Sequence, residues 1–286
     1  MTPGPTEHRH EPVRVQHEPD SKALVVLARR WALRDPTISG IALLGGLVAG
    51  AASGTRLVLQ DAGVDGPGGP TDIVVARLTG MIVPIFTGVA LAAYAAQVSG
   101  QDVTAGRAWG LLRGRWTALL AWVVTSALVI GAGGAVLVLL PAVGPILFLA
   151  GYAAWWFLTL YALPAAVLSG ELPHRALVTS LRLVRDTFSF TIGANVRALF
   201  PWLPCVVGAF AVEGFGYLVW DHYRGEVPTW STAGLLVMLA AQLCVSCSLA
   251  MQSAVTNLVN TMVLRHDRGF PTPGLTPYQL PTRWTA

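Results

Sequence analysis

The sequence predicts an all-α membrane protein: a polytopic bundle of six transmembrane helices, with amphipathic interfacial helices before helices 1, 3 and 5. Three observations carry that expectation: six long uncharged apolar stretches, a charged fraction of only 12%, and arginines that alternate in number between successive linkers. A soluble domain carries about 25% charged residues, because water must solvate its surface. Here the shortfall lies in the stretches themselves, so lipid is the expected solvent for most of the chain.

Stretches 38–55, 78–98, 117–140, 142–168, 198–212 and 231–264 contain no Asp, Glu, Lys, Arg or His. Crossing a hydrocarbon layer roughly 30 Å thick takes about 20 mostly apolar residues in a helix. Five stretches meet or approach that length, and the fifth in order does so once Glu213 is tolerated and the run continues to Trp220. The rest divides into a disordered N-terminal tail over 1–21 and a C-terminal tail over 267–286 carrying Pro271, Pro273, Pro277 and Pro281. Neither tail is long enough to bury a core, so residues 22–266 form one membrane domain. Arg29-Arg30 followed by Ala49-Gly50-Ala51 imitates a targeting signal, but the apolar run continues to Leu59 and five further spans follow. An uncleaved anchor is the expectation.

Orientation follows from the arginines. Lys22, Arg29, Arg30 and Arg34 precede the first span; Arg107, Arg113 and Arg115 precede the third; Arg175, Arg182 and Arg185 precede the fifth; Arg265 and Arg268 follow the sixth. The opposite linkers hold only Arg56, Arg77 and Arg224, a split of 12 to 3, together with Asp61, Asp65, Asp72, Asp221 and Glu226. Basic residues are retained on the cytoplasmic side, so both termini are expected there, in a multi-pass protein of the cytoplasmic membrane. The net charge of +4 is spread over these boundaries rather than gathered on one face, which argues against nucleic-acid binding.

The three basic linkers before odd-numbered spans share a plan. Each opens with a basic residue, Ala and a large apolar residue: Lys22-Ala23-Leu24, Arg107-Ala108-Trp109 and Arg175-Ala176-Leu177. In the second, Ala105, Trp109, Leu112 and Trp116 recur at helical spacing; in the third, Leu177, Leu181, Val184 and Phe188 do so. A helix with one apolar and one basic face lies in the interface plane, its arginines near anionic head groups. Arg107, Arg113, Arg115, Arg175, Arg182 and Arg185 are therefore the expected anionic-lipid contacts. Either three degenerate repeats of one in-plane helix and one hairpin, or ordinary cytoplasmic linkers, account for the pattern.

The run Pro164-Ala165-Ala166-Val167-Leu168, Glu171, Arg175-Ala176-Leu177, Ser180, Leu183-Val184-Arg185 and Phe188 resembles the central motif of the glycerophosphoryl diester phosphodiesterase membrane-domain family. Arg107-Ala108-Trp109 with Arg113 and Arg115 is similar to its earlier copy, while Leu264-Arg265-His266-Asp267-Arg268-Gly269 lacks the aromatic residue of the family's closing signature. The resemblance covers most of residues 22–270 and implies six spans. It does not bring phosphodiester hydrolysis, because the catalytic domain that names the family has no counterpart here.

Four features are candidates for chemistry. Glu213 lies eight positions before Asp221, roughly 12 Å inward at 1.5 Å per residue. An intramembrane carboxylate needs a partner or a task, and Arg77, at a comparable depth on the same side, is the expected partner. A structural pair, a protonated acid and a proton-coupling group are the readings. The sixth span carries a polar stripe, Gln242, Ser246, Ser253, Asn257 and Thr261, with Gln252, Thr256 and Asn260 beside it. Such a stripe packs against other spans or lines a solute path. Pro201 and Pro204 free backbone carbonyls and kink the fifth span, so a cavity between helices 5 and 6 is expected. Cys244 and Cys247 have the spacing of a redox or metal pair, but with Cys205 alone nearby they read as small packing groups. His8, His10 and His17 read as solvated tail residues.

No catalytic, cofactor or metal set emerges, and no phosphate-binding glycine loop. The expectation is a non-enzymatic scaffold that organises lipids or a membrane-protein partner, with anionic head groups as its lipid contacts. The alternative is a small-solute or lipid transporter that uses the cavity between helices 5 and 6.

Overall fold

The computed structural model describes residues 20–62, 70–140, 143–223 and 228–274, less the side chains of 60, 61, 70–77, 135–139, 145, 210, 213, 223 and 228–231. The N-terminal tail as far as residue 19 and the C-terminal tail beyond 274 lie outside the described residues. Every regular element among the described residues is helical: α1 (Ser21–Arg34), α2 (Pro36–Asp61), α3 (Pro70–Val98), α4 (Ala105–Leu111), α5 (Trp116–Leu139) and α6 (Gly144–Leu158). There follow α7 (Ala162–Ser169), α8 (Pro173–Asp186), α9 (Phe188–Leu199), a 3₁₀ turn at Phe200–Trp202, α10 (Leu203–Tyr223) and α11 (Pro228–Asp267). Six segments are long and apolar enough to cross a membrane: Pro36–Leu59, Leu78–Val98, Trp116–Gly134, Ile146–Ser169, Phe188–His222 and Thr232–Asp267. The chain is an all-α polytopic membrane bundle.

Local chemistry sets the joints. Asp20 caps α1, its Oδ1 accepting from the backbone N–H of Lys22 and Ala23 at 2.9 and 3.2 Å. Asp35 then ends α1 and starts α2: its Oδ1 accepts from Thr37 and Ile38 at 3.0 and 2.9 Å, ahead of Pro36 at the first helical position. Both arrangements satisfy amide groups that a helix start leaves open. The other Asp35 oxygen accepts from Gln97 Nε2 at 3.1 Å, tying this corner to the end of α3. Gly170, at φ 66°, closes α7 in the left-handed conformation and turns the chain into α8.

α11 is the axis of the bundle, packed between α10 and α2, with α3 beside it. Glycines let the backbones close. A Cβ at Gly46 would stand 2.6 Å from Cys247 Cα, and one at Gly234 would stand 2.6 Å from the Trp220 backbone N. Gly50 and Gly54 continue the α2 seam against Leu243 and Leu239, giving the small-xxx-small spacing by which membrane helices approach without a hydrophobic driving force. Because Gly46 meets Cys247 and Gly50 meets Leu243, α11 runs on past the start of α2. Its last turns are wrapped by α1, α7 and α9. There Leu24, Ala28, Tyr94, Tyr161, Ala194, Leu258 and Met262 are fully buried.

α1 is two-faced, burying Leu24, Val25, Ala28 and Ala32 against α9 and α11 and exposing Lys22, Arg30 and Arg34. One expectation shifts. Residues 268–274, assigned by their prolines to an extended tail, fold back: Phe270 N–H donates to the Arg265 carbonyl, and Thr272 is buried. α8 buries Ala176, Ser180, Leu183 and Val184, so the buried face is turned from the apolar row read from its sequence. Of Leu177, Leu181, Val184 and Phe188 only Val184 is buried, and Leu181 and Phe188 are exposed, as are Arg175, Arg182 and Arg185.

The glycine seam yields a paired test. Gly46→Ala sets a methyl group against backbone that no rotamer change can move, and should cost about 1–3 kcal/mol, read as a lower melting midpoint in detergent. Gly40→Ala in the same helix meets nothing within 4 Å and should leave the midpoint unchanged or raise it through helix propensity.

Candidate functional site

The fourth span is not one helix. Pro164 has no N–H to give the Leu160 carbonyl, and a helix-interior proline displaces the turn before it. The break falls at Thr159–Tyr161, between α6 and α7. Its loose backbone groups are taken up by one buried side chain from α8. Ser180 Oγ donates to the Leu158 carbonyl at 2.7 Å and accepts from Tyr161 N–H at 3.1 Å. From the break, the Tyr161 hydroxyl shares a hydrogen bond with Thr191 Oγ1 at 2.6 Å, and Thr191 another with Thr187 Oγ1 at 2.7 Å. Asn195 Nδ2 continues the chain, donating to the Thr191 carbonyl at 2.9 Å and to Asn260 Oδ1 at 3.1 Å. One polar network thus joins the broken fourth span, α9 and α11.

Asn260 is also the closed end of a cleft of about 340 Å³. One wall is α11, with Leu249, Gln252, Ser253, Thr256, Asn257 and Asn260; the facing wall comes from α5, α6 and α7, with Trp122, Tyr152, Trp155, Trp156 and Leu163. Gly80 and Pro84 of α3 close one side. Along α11 the cleft runs about 16 Å, from Leu249 to Asn260. Thr256, Asn260, Trp122 and Leu160 are buried, whereas Tyr152 and Leu249 are exposed. The site is therefore shut toward the arginine-rich ends of the spans and open toward their middle.

The walls differ in chemistry. Trp122 and Trp155 stack with ring centroids 6.0 Å apart, forming an aromatic surface. Opposite, Ser253 Oγ shares a hydrogen bond with Thr87 Oγ1 at 3.1 Å, and Asn257 Nδ2 donates to the Ser253 carbonyl at 2.9 Å. Two buried polar atoms at the closed end have no partner among the described residues: Thr256 Oγ1 and Asn260 Nδ2. Other helical hydroxyls, those of Thr55, Ser99, Thr125, Thr159 and Thr187, each bond the carbonyl four residues back. Thr256 does not. Among the described residues that line the cleft there is no carboxylate, imidazole, thiol or cationic side chain.

Of the helix 5–6 cavity expected from sequence, the structure shows close packing at one level, where α10 and α11 meet backbone to backbone at Gly216 and Gly234. Ser253 and Asn257 do line a cleft, but one facing the third and fourth spans. Ser246 is buried against the α2 seam beside Gly50, and Gln242 stands seven residues, about 10 Å, beyond the rim at Leu249. Pro201 lies in the 3₁₀ turn that interrupts the fifth span and Pro204 in the first turn of α10. Trp202 between them packs on Ala42, Met251 and Ala254, so the expected distortion is present but turned away from the cleft. Glu213 and Arg77 sit on α10 and α3; their side chains, and so their pairing, lie outside the described residues. Among the described residues no group of His, Cys, Asp and Glu has metal-site geometry.

Arg107, Arg113, Arg115, Arg175, Arg182 and Arg185, the expected lipid-contacting arginines, are all exposed. Arg115 donates to the Val167 carbonyl at 3.1 Å, at the end of α7. Arg182 pairs with Asp267 at 3.3 Å and Arg185 with Asp186 at 3.1 Å. Arg197 is exposed and contacts Ser21 Oγ. Missed from sequence were Trp122, Trp155, Trp156, Tyr161, Thr191 and Asn195. Trp155-Trp156 was the available signal, because tryptophans favour membrane interfaces and this pair lies well inside a span.

Comparison with protein-family models, with curated proteins and with solved structures gives no match.

Ser180 gives the prediction for this region. Ser180→Ala leaves the Leu158 carbonyl and the Tyr161 N–H unpaired in a buried site, at about 1–3 kcal/mol for each group. The melting midpoint in detergent should fall clearly, while Ser99→Ala, which removes only an exposed bond to the Ala95 carbonyl, should change it little.

Proposed function

We propose that this protein takes a lipid from the surrounding bilayer into the cleft between α11 and the α5–α6 hairpin, and serves as a lipid-binding carrier rather than a catalyst. The observation that carries this reading is the cleft's two-sided lining. An aromatic wall suits an acyl or isoprenoid chain, and a polar stripe ending in two unpartnered atoms suits a polar group brought in with it. Ligand sites are concave, mostly apolar and furnished with a few convergent polar groups. The rim at Tyr152 and Leu249 is apolar and exposed, so entry from hydrocarbon is favoured over entry from water. Discontinuous spans around a buried site are typical of many carriers, and the fourth span, which lines the cleft at Thr159 and Leu160, is interrupted there.

The setting belongs to the same proposal. The arginine-rich ends face the cytoplasm, both termini are cytoplasmic, and the membrane is the cytoplasmic membrane. Exposed Arg107, Arg113, Arg115, Arg175, Arg182 and Arg185 meet anionic head groups there, and on α8 the apolar side chains of Val178 and Leu181 are exposed as well. This is the lipid-organising part of the role. The resemblance to the glycerophosphoryl diester phosphodiesterase membrane-domain family is kept within this proposal without its hydrolytic chemistry.

Two measurements test the reading. Purified in native lipid particles and then exchanged into detergent, the protein should retain a defined lipid detectable by mass spectrometry. The Ser253→Leu/Asn257→Leu variant, whose stripe is filled and apolar, should lose it; identical lipid content in both would overturn the proposal. For the orientation, a reporter fused after Ala286 should be active in the cytoplasm, and activity on the outer face would reverse it.

A further inference from the structure

We infer that the cleft selects an uncharged lipid whose polar end carries a carbonyl or hydroxyl oxygen, the chemistry of a glyceride, seated on Thr256 and Asn260. This deepens the lipid-binding reading and rests on it. The argument begins with what the closed end offers. Asn260 is 1% exposed, with its Oδ1 occupied by Asn195 and its Nδ2 free; Thr256 is 5% exposed, with a free hydroxyl. Both residues line the cleft, one turn apart on α11. A buried amide or hydroxyl left unpaired is costly, and a ligand oxygen that accepts from Asn260 Nδ2 and bonds the Thr256 hydroxyl removes that cost at both positions.

The same lining rules on charge. Bringing a phosphate into a low-dielectric site requires a cation beside it, and the described residues that line the cleft include no Lys, Arg or His. Arg265, the next cation along α11, is five residues on from Asn260. That places it about 7.5 Å further along and about 140° around the helix, where its guanidinium lies over the Phe270 ring at 5.3 Å. A glyceride brings ester and hydroxyl oxygens with no charge to neutralise, and its chains lie along Trp122, Trp155 and Trp156.

The test uses those tryptophans as reporters. The full chain is reconstituted in phosphatidylcholine vesicles containing, as a minor component, either diacylglycerol or phosphatidylglycerol brominated on the acyl chains. Bromine quenches indole fluorescence on contact, so a lipid that occupies the cleft gives saturable quenching above the level set by random lipid contacts. Diacylglycerol should saturate at a lower fraction than phosphatidylglycerol. Thr256→Val should raise its half-saturating fraction roughly 3- to 10-fold, the loss of one hydrogen bond. Thr125→Val, whose hydroxyl bonds its own helix, should not. The Thr256→Val variant is nearly isosteric and removes a hydroxyl with no partner, so its melting midpoint should equal or exceed that of the parent. Saturable quenching that is equal for both lipids, or stronger for phosphatidylglycerol, overturns the selectivity and leaves the lipid-binding reading standing. Random-contact quenching by both lipids overturns both.

Discussion

A helix in lipid must satisfy its own backbone, because no water is available to complete an open N–H or C=O. Most of this chain obeys by staying helical through its apolar runs. The exceptions lie in the fourth and fifth spans, where Pro164 and Pro201 interrupt the ladder. At the first, the compensation comes from Ser180, a side chain of the basic amphipathic helix α8 that follows. A surface helix is thereby fixed to the interior of the bundle. The break in turn presents the Tyr161 hydroxyl to α9, and α9 presents Asn195 to α11. Remove the need to satisfy two backbone groups, and the reason for this arrangement disappears.

The second organising fact is the asymmetry around α11. On the sides toward α2 and α10, glycines bring backbones into contact at Gly46 and Gly234. Toward α5, α6 and α7 the facing residues are Trp122, Trp155 and Trp156, which are too large for such an approach. Close packing on two sides and bulky spacers on the third leave a gap where the polar stripe of α11 emerges. The cleft is therefore a consequence of residue size, and its lining is a consequence of which face of α11 the glycines left uncovered.

That division explains what the sequence made legible. Six spans and the short helices before them could be read because exclusion of charge and clustering of arginine are local properties of the chain. The interruption at Pro201 could be read for the same reason. The neighbours of α11 could not. Ser246 and Ser253 both belong to one polar stripe, yet Ser246 is buried beside Gly50 and Ser253 lines the cleft. Which of two such residues meets a glycine seam depends on where α2 leaves α11, a long-range property. The spacing of Gly46, Gly50 and Gly54 held that information, but only a partner helix gives it meaning. Ser180, too, stood within the motif that resembles a known family, and its task became visible only once the break beside it was seen.

The polar network has a mechanical consequence that the cleft alone would not have. Asn260 Oδ1 is held by Asn195, Asn195 is held to Thr191 by its own helix, and Thr191 is held by Tyr161 at the edge of a broken span. An oxygen that engages Asn260 Nδ2 pulls on a residue whose other amide atom is already committed. If α11 moves at this level, it must either carry α9 with it or surrender the bond to Asn195, leaving a second buried amide open. Surrender is costly where both amides are buried, so joint movement is the cheaper response. The segments on either side of the two interruptions, α6 against α7 and α9 against α10, are where the backbone can absorb such movement, since neither junction is held by a continuous helical ladder.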